Sequence, residues 1–349
     1  MLRRYIYIIL AAVQCALLSG CAVHQWPEQK SPEVTIPLRL EYEPDLYIWE
    51  HLYDPLLGIV EAEHPSPDPF PDYPGASSKY TNIVPAGVVA VYVKVFPADD
   101  PRRCIMEQTF INEINGGYDT DLKLALPDEA TYDIVVWSDL LTGAAAEPFY
   151  DATDFNRVHI IADNYAGNTD YRDAYRGRIR VDASATEGSH VVRMRRPMGK
   201  FELVTTDLSE FLDRETTRLN LPTRAKAEDY RVVISFPMYY PNSYSAMEDR
   251  LENAAMGVAF ETRMTVTGVS EASLGFEYVM LNDIADSGVQ TRVDVYDMSG
   301  NHVAGSAMFT VPMRRDYHTL LRGAFLSTEG SGGVGIDPGF NGDHNITWQ

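Results

Sequence analysis

Cysteine is scarce in this chain, with three in 349 residues, at positions 15, 21 and 104. Cations are scarce too: 29 Lys and Arg stand against 50 Asp and Glu, for a net charge of −21. That balance excludes a nucleic-acid partner, because phosphate binding needs clustered Lys and Arg to displace counterions. No apolar run is long enough to cross a bilayer. The longest, from Tyr5 to Leu17, falls short of the roughly 17–25 residues a spanning helix needs. Missing as well are a Gly-x-Ser-x-Gly elbow, a His-Glu-x-x-His helix, a phosphate loop and a dinucleotide glycine fingerprint set between a strand and a helix. Cys and His show no zinc-ligand spacing. The acidic, Gly-rich stretch from Asp337 to Asp343 lacks the spacing and closing Glu of an EF-hand, and turn chemistry accounts for it. No catalytic residue, metal or cofactor is therefore assigned.

What is present begins at the N-terminus. Arg3 and Arg4 precede the short apolar run, and Leu18-Ser19-Gly20-Cys21 follows it. A charged start, a short apolar stretch and small residues before a Cys read as a lipoprotein signal peptide over residues 1–20, cut before Cys21. Cys21 is then the lipidation site, and several acyl chains together hold a protein stably on a membrane. Residues 21–33 form a tether. Only Cys104 stays as a free thiol in the mature chain, so an exported protein of this size must hold together by its core without disulfides. No catalytic-Cys motif flanks Cys104, and a buried, inert thiol is expected.

Past the tether the chain reads as strands. Val34–Glu43 is the first, followed by an irregular stretch where Pro65, Pro67, Pro69, Pro71 and Pro74 favour extended polyproline backbone. Val89, Val91, Val93 and Val95 share one face of a strand over 89–96. Further strands are expected over 132–137, 190–194, 201–205, 230–236, 260–267, 291–297 and 303–311, with Ser299-Gly300-Asn301 as a hairpin turn. One helix is expected over 245–256, from Met247, Leu251, Ala254 and Ala255 at i, i+4, i+7 and i+8. Short strands without repeated strand–helix alternation predict an all-β chain of antiparallel sandwiches. Pro and Gly between Pro197 and Gly199 mark a break between an N-terminal sandwich, 34–198, and a C-terminal one, 199–349.

Several segments point further. They are Tyr132–Asp139, Phe149–Phe155, Gly167–Tyr175, Arg195–Met198, Thr205–Leu208, Leu274–Val279, Val311–Arg315 and Gly332–Asp343. In this order and spacing they resemble an uncharacterised lipoprotein domain family of Bacteroidetes, itself similar to fimbrillins and fimbrial anchor or tip subunits. One departure is Glu277, where Asp is expected. The resemblance implies two tandem transthyretin-like antiparallel β-sandwich domains, no enzymatic activity and assembly with other fimbrial subunits by β-strand donation. It also implies a lipid-anchored outer-membrane location facing the cell surface. In shaft subunits of that kind the acceptor gap opens when proteolysis at a basic residue removes the first strand. Lys30 and Arg39 are the only Lys or Arg between Cys21 and Lys79. Arg39 is thus the candidate processing site, against its plainer reading as an outward side chain between Leu38 and Leu40. Within Asp170-Tyr171-Arg172-Asp173, Arg172 is expected to latch a loop through carboxylate pairs. An alternative function is a surface glycan-binding lipoprotein, for which Tyr239, Tyr240 and Tyr244 would stack on sugar rings, and a host or glycan ligand would be the partner.

Overall fold

The computed structural model describes residues 32–55, 58–61, 78–80, 86–114, 118–128, 130–185, 188–282 and 287–327. The signal peptide, Cys21, the tether up to residue 31, the run from Pro65 to Pro74 and the segment from Gly332 to Asp343 lie outside them. The chain is all-β: among the described residues Leu208–Arg218 is the single α-helix beside many strands.

The first strand, Glu33–Tyr42, lies in a three-stranded sheet, antiparallel to Thr120–Pro127 and parallel to His190–Met194. A four-stranded sheet covers it, in the order Ala174–Asp182, Thr131–Leu141, Val88–Pro97, Met106–Glu113. Period-2 patterning builds the core between them. Ile36, Leu38 and Leu40 meet Val89, Val91, Val93 and Val95, with Leu122, Leu124, Ile134, Val136 and Val192 filling the same layer. At Gly177 a Cβ would sit 2.6 Å from both Met194 Sδ and Val192 Cγ1, so the two sheets approach here only because the residue has no side chain.

A second sandwich packs a sheet containing Thr265–Val266, Ala272–Met280, Met198–Thr205, Tyr317–Gly323 and Leu46–Asp54 against Val258–Arg263, Tyr230–Phe236 and Ser287–Asp297. Its core holds Phe201, Leu203, Val232, Ile234, Phe236, Leu274, Val293 and Leu321. A small sheet of Tyr150–Asp151, Val158–Ile160, Tyr240–Ser245 and Arg250–Ala255 joins the two halves. Thr131–Leu141 is buried on both faces, as its nearly continuous apolar run requires. Ile134 and Val136 face the first core, whereas Val135 and Trp137 face the second.

The strands at 190–194 and 230–236 have the expected bounds, and the hairpin turn forms with Gly300 at φ 82°. Asp297 closes that turn by accepting from the Ser299 and Asn301 amides at 2.9 and 3.0 Å. Three expectations are corrected. Residues 245–256 are not a helix but a turn and a hairpin arm: Arg250–Ala255 pairs with Tyr240–Ser245, and Asp249 takes φ 59°. The helical periodicity rested on a Met, a Leu and two Ala, and cross-strand pairing overrides so short a pattern. The strand expected over 260–267 changes sheets. Val258–Arg263 pairs with Tyr230–Phe236, and after Met264 the chain crosses so that Thr265–Val266 pairs with Ala272 and Ser273. The strand over 303–311 breaks in two, His302–Gly305 and Phe309–Met313, where Ser306 accepts from the Val293 amide.

Candidate functional site

The first strand reads Glu-Val-Thr-Ile-Pro-Leu-Arg-Leu-Glu-Tyr. Its even-numbered aliphatics turn inward, with Ile36, Leu38 and Leu40 exposed by 0, 1 and 0%, and Pro37, Arg39 and Glu41 turn outward. Pro37 precedes Leu38, the first residue paired with His190–Met194, so it sits where the strand has a single neighbour. From Leu38 to Leu40 the strand is flanked on both sides. Without it, two rows of backbone donors and acceptors and a row of apolar pockets would lie open.

Arg39 lies in the doubly flanked part. Its Nε is 3.2 Å from Glu41, and its two Nη atoms are 3.4 Å from Asp119 and 3.9 Å from Asp121. Asp119 also accepts from the Tyr42 amide at 3.1 Å. The side chain is outward, as its plainer reading had it, and half-exposed.

The exit of the strand is held by a residue that sequence reasoning passed over except as part of a longer motif. Arg196, fully buried, donates from Nη1 to the Glu43 and Asp45 carbonyls at 3.1 Å each, and from Nη2 to the Pro44 carbonyl. Its other face is paired with buried Asp173 (Nε to Oδ1 2.8 Å, Nη2 to Oδ2 2.9 Å) and donates from Nη2 to the Tyr175 hydroxyl oxygen at 2.6 Å. Burial pulls the Arg196 pKa down, but Asp173 and Tyr175 outweigh it, and the guanidinium stays charged above its ordinary value. The available signal was a basic residue between the buried Met194 and Pro197-Met198, where a strand pattern calls for an apolar one.

The Asp170–Asp173 segment does form a latch, with distant partners. It is a short 3-10 turn capped by Thr169. Arg172 is buried against Glu277 at 3.5 Å and lies over the Tyr165 ring at 4.8 Å. Asp173 serves Arg196, and Asp170 takes Lys200 at 2.8 Å. Burial raises the Glu277 carboxyl pKa and Arg172 opposes it. The residue that departed from the expected Asp is therefore the latch's own counter-ion.

Beside the strand exit a cavity of about 360 Å³ is lined by Glu43, Asp45, Tyr47, Arg193, Arg195 and Asp316 among others. Its walls are charged, unlike the mostly apolar lining of small-molecule pockets. Asp316 there is pushed up to about 6, by burial first. Among the described residues no group of three His, Cys, Asp or Glu is placed to hold a metal ion. Tyr240 and Tyr244 are buried core residues at 1 and 0% exposure, and only Tyr239 is exposed, so the three make no stacking platform. Cys104 is half-buried; its thiol donates to the Met106 carbonyl at 3.2 Å, and burial pushes its pKa up. That is the opposite of an activated nucleophile.

Residues 88–349 match the model described as "Family of unknown function (DUF6562)". The chain belongs to this family. The match bears out the resemblance to an uncharacterised domain family; it takes in Asp173, Arg196 and Glu277 and begins after Arg39. No curated protein matches the chain. Among solved structures, the chain is similar to the fimbrial anchor protein Mfa2 from Porphyromonas gingivalis, at 12% identity and TM-score 0.37, over 78% of this chain and 82% of that one. It is also similar to a fimbrial assembly protein from Parabacteroides distasonis, at 13% identity and TM-score 0.39, over 86% and 94%. Among the described residues no helix is long and apolar enough to cross a membrane.

Proposed function

We propose that this DUF6562 protein is a non-enzymatic subunit of a cell-surface fimbrium, lipid-anchored through Cys21 and joined to its neighbours by β-strand donation. The observation that carries the reading is the position of the first strand. It is central in its sheet, apolar at alternate inward positions and close to the N-terminus. A strand so placed can be exchanged for one from another chain, with main-chain bonds giving affinity and side-chain pockets giving selectivity. The non-enzymatic part is supported by buried ion pairs that tie the chain together: Arg172 with Glu277, Asp173 with Arg196, Asp170 with Lys200.

Arg39 is the processing site in this reading, and its setting shields it for as long as the strand is seated. A protease binds its substrate as an extended chain, and here both edges of residue 39 are already paired. Three acids surround the guanidinium that an Arg-specific enzyme must take up. A strand that stays uncut suits an anchor, whereas one cut after it leaves the sheet opens the slot to a strand of another subunit.

The test is intact mass and native-gel behaviour of the mature chain before and after an Arg-specific protease. A chain that resists cutting at Arg39 is the result expected of an anchor. Loss of residues 21–39 followed by a ladder of oligomers would assign a shaft or tip role instead. A chain cut there that stays monomeric would overturn strand donation through this slot.

A further inference from the structure

Resting on the strand-donation reading, we infer that the slot selects its partner strand by two outward charges, a cation at the position of Arg39 and an anion two residues on. The inward side cannot make this choice. Ile36, Leu38 and Leu40 enter a continuous aliphatic layer, which any strand with apolar alternate residues would satisfy. A slip of one residue is forbidden because it would turn every aliphatic outward. A slip of two residues, or entry in the opposite direction, keeps the alternation and passes unnoticed by the core.

The outward face reads what the core does not. Arg39 is opposite Asp121 on one neighbour, with Asp119 beside it, and Glu41 is opposite Arg193 on the other. Pro37 is opposite Lys123. Moving the cation two residues one way sets it against Lys123; moving it two residues the other way sets it against Arg193. Both slips juxtapose like charges. Reversing the strand about Leu38, which keeps three aliphatics inward, moves the cation to the position of Pro37, opposite Lys123, and leaves no cation facing Asp119 and Asp121. Like-charge contacts of this kind set register and partner choice more than affinity. The slot ends at Tyr42, because Arg196 holds the carbonyls of residues 43–45. The partner is therefore a strand of another subunit, about as long as Glu33–Tyr42 and displacing the stub of residues 40–42 that a cut after Arg39 leaves, with alternate aliphatics inward, Lys or Arg facing Asp119 and Asp121, and Asp or Glu facing Arg193.

The experiment uses the full mature chain carrying Ile36→Asp and Leu38→Asp, whose own first strand cannot seat. Fluorescently labelled peptides with the sequence of residues 33–42 are titrated in, as the native sequence and with Arg39→Glu and Glu41→Arg exchanged. The native peptide is expected to bind about tenfold more tightly than the exchanged one, the scale of one like-charge clash. Placing Asp119→Lys and Asp121→Lys in the chain is expected to narrow that gap. Equal binding of both peptides would overturn the charge selection and leave strand donation standing. Binding of neither would overturn strand donation itself. If the acceptor variant does not fold, the same coupling is read in the intact wild-type background. Arg39→Glu should lower Tm by a few degrees, and the two Asp→Lys changes should recover it. Purely additive effects would overturn the inference.

Discussion

Arg196 and Asp173 are both removed from water, and neither charge would survive burial alone. A guanidinium with five donors can satisfy a carboxylate and three carbonyls at once, which an ammonium cannot. Arg196→Met should therefore destabilise the protein by about 3–5 kcal/mol, since it strands the Asp173 charge. Adding Asp173→Leu should recover a large part of that loss. Urea unfolding measures both, and a single variant close to wild type would show that the clamp carries no stability. Asp139 makes a second case. It is wholly buried, receives only the Trp137 indole N–H, and its Oδ2 has no partner among the described residues. Burial pushes this carboxyl up to about 8 from 3.8. The folded state thus holds a proton that the unfolded state releases. Asp139 supports the fold most fully below its unfolded value, and that support drains away as pH rises through about 8. Asp139→Asn should flatten the fall in Tm between pH 5 and pH 8; an unchanged slope would assign the pH dependence to other groups. At this scale the polar motif around Arg172 was visible in the sequence. Its partner Glu277 and the Asp173–Arg196 pair were not, because nothing local marks residues that meet across more than twenty positions.

Among elements, those with strong period-2 patterning were legible. The first strand was, to within a residue of each end, because four aliphatics alternate with polar residues and turn-formers flank them. The helix at Leu208–Arg218 was not. Its buried stripe is Leu208, Phe211, Leu212 and Glu215, and the fourth member is an acid that breaks the apolar count. Glu215 is buried because Arg218 grips both its oxygens, at 3.0 and 2.9 Å from Nε, and Tyr230 donates to it at 3.3 Å. The first strand should respond to truncation as a core element. Leu38→Ala should cost about 2–5 kcal/mol and raise amide exchange in residues 33–42 and in their partners at 120–127 and 190–194. Loss of stability with exchange rising only in the second sandwich would contradict the packing described here.

At the scale of the molecule the two sandwiches interlock. The strand Leu46–Asp54 follows the first strand directly, yet lies parallel to Tyr317–Gly323 in the second sandwich. Val158–Ile160 pairs with Tyr240–Ser245, and Trp137 packs in the core that also holds Tyr244. The expected consequence is one cooperative transition in calorimetry, with Arg196→Met lowering it as a unit. Two well-separated transitions would show that the halves unfold independently despite the shared sheet. The sequence by itself determined the all-β class, the alternating first strand with Arg39 outward, and the turn at Ser299–Asn301, since each rests on neighbours within a few residues along the chain. Only the tertiary structure decided which strands lie side by side, where residues 245–256 turn back, and which acid answers each buried arginine. Those outcomes depend on contacts between distant segments, where burial makes an unpaired charge too costly to keep and so selects the one arrangement that pairs it.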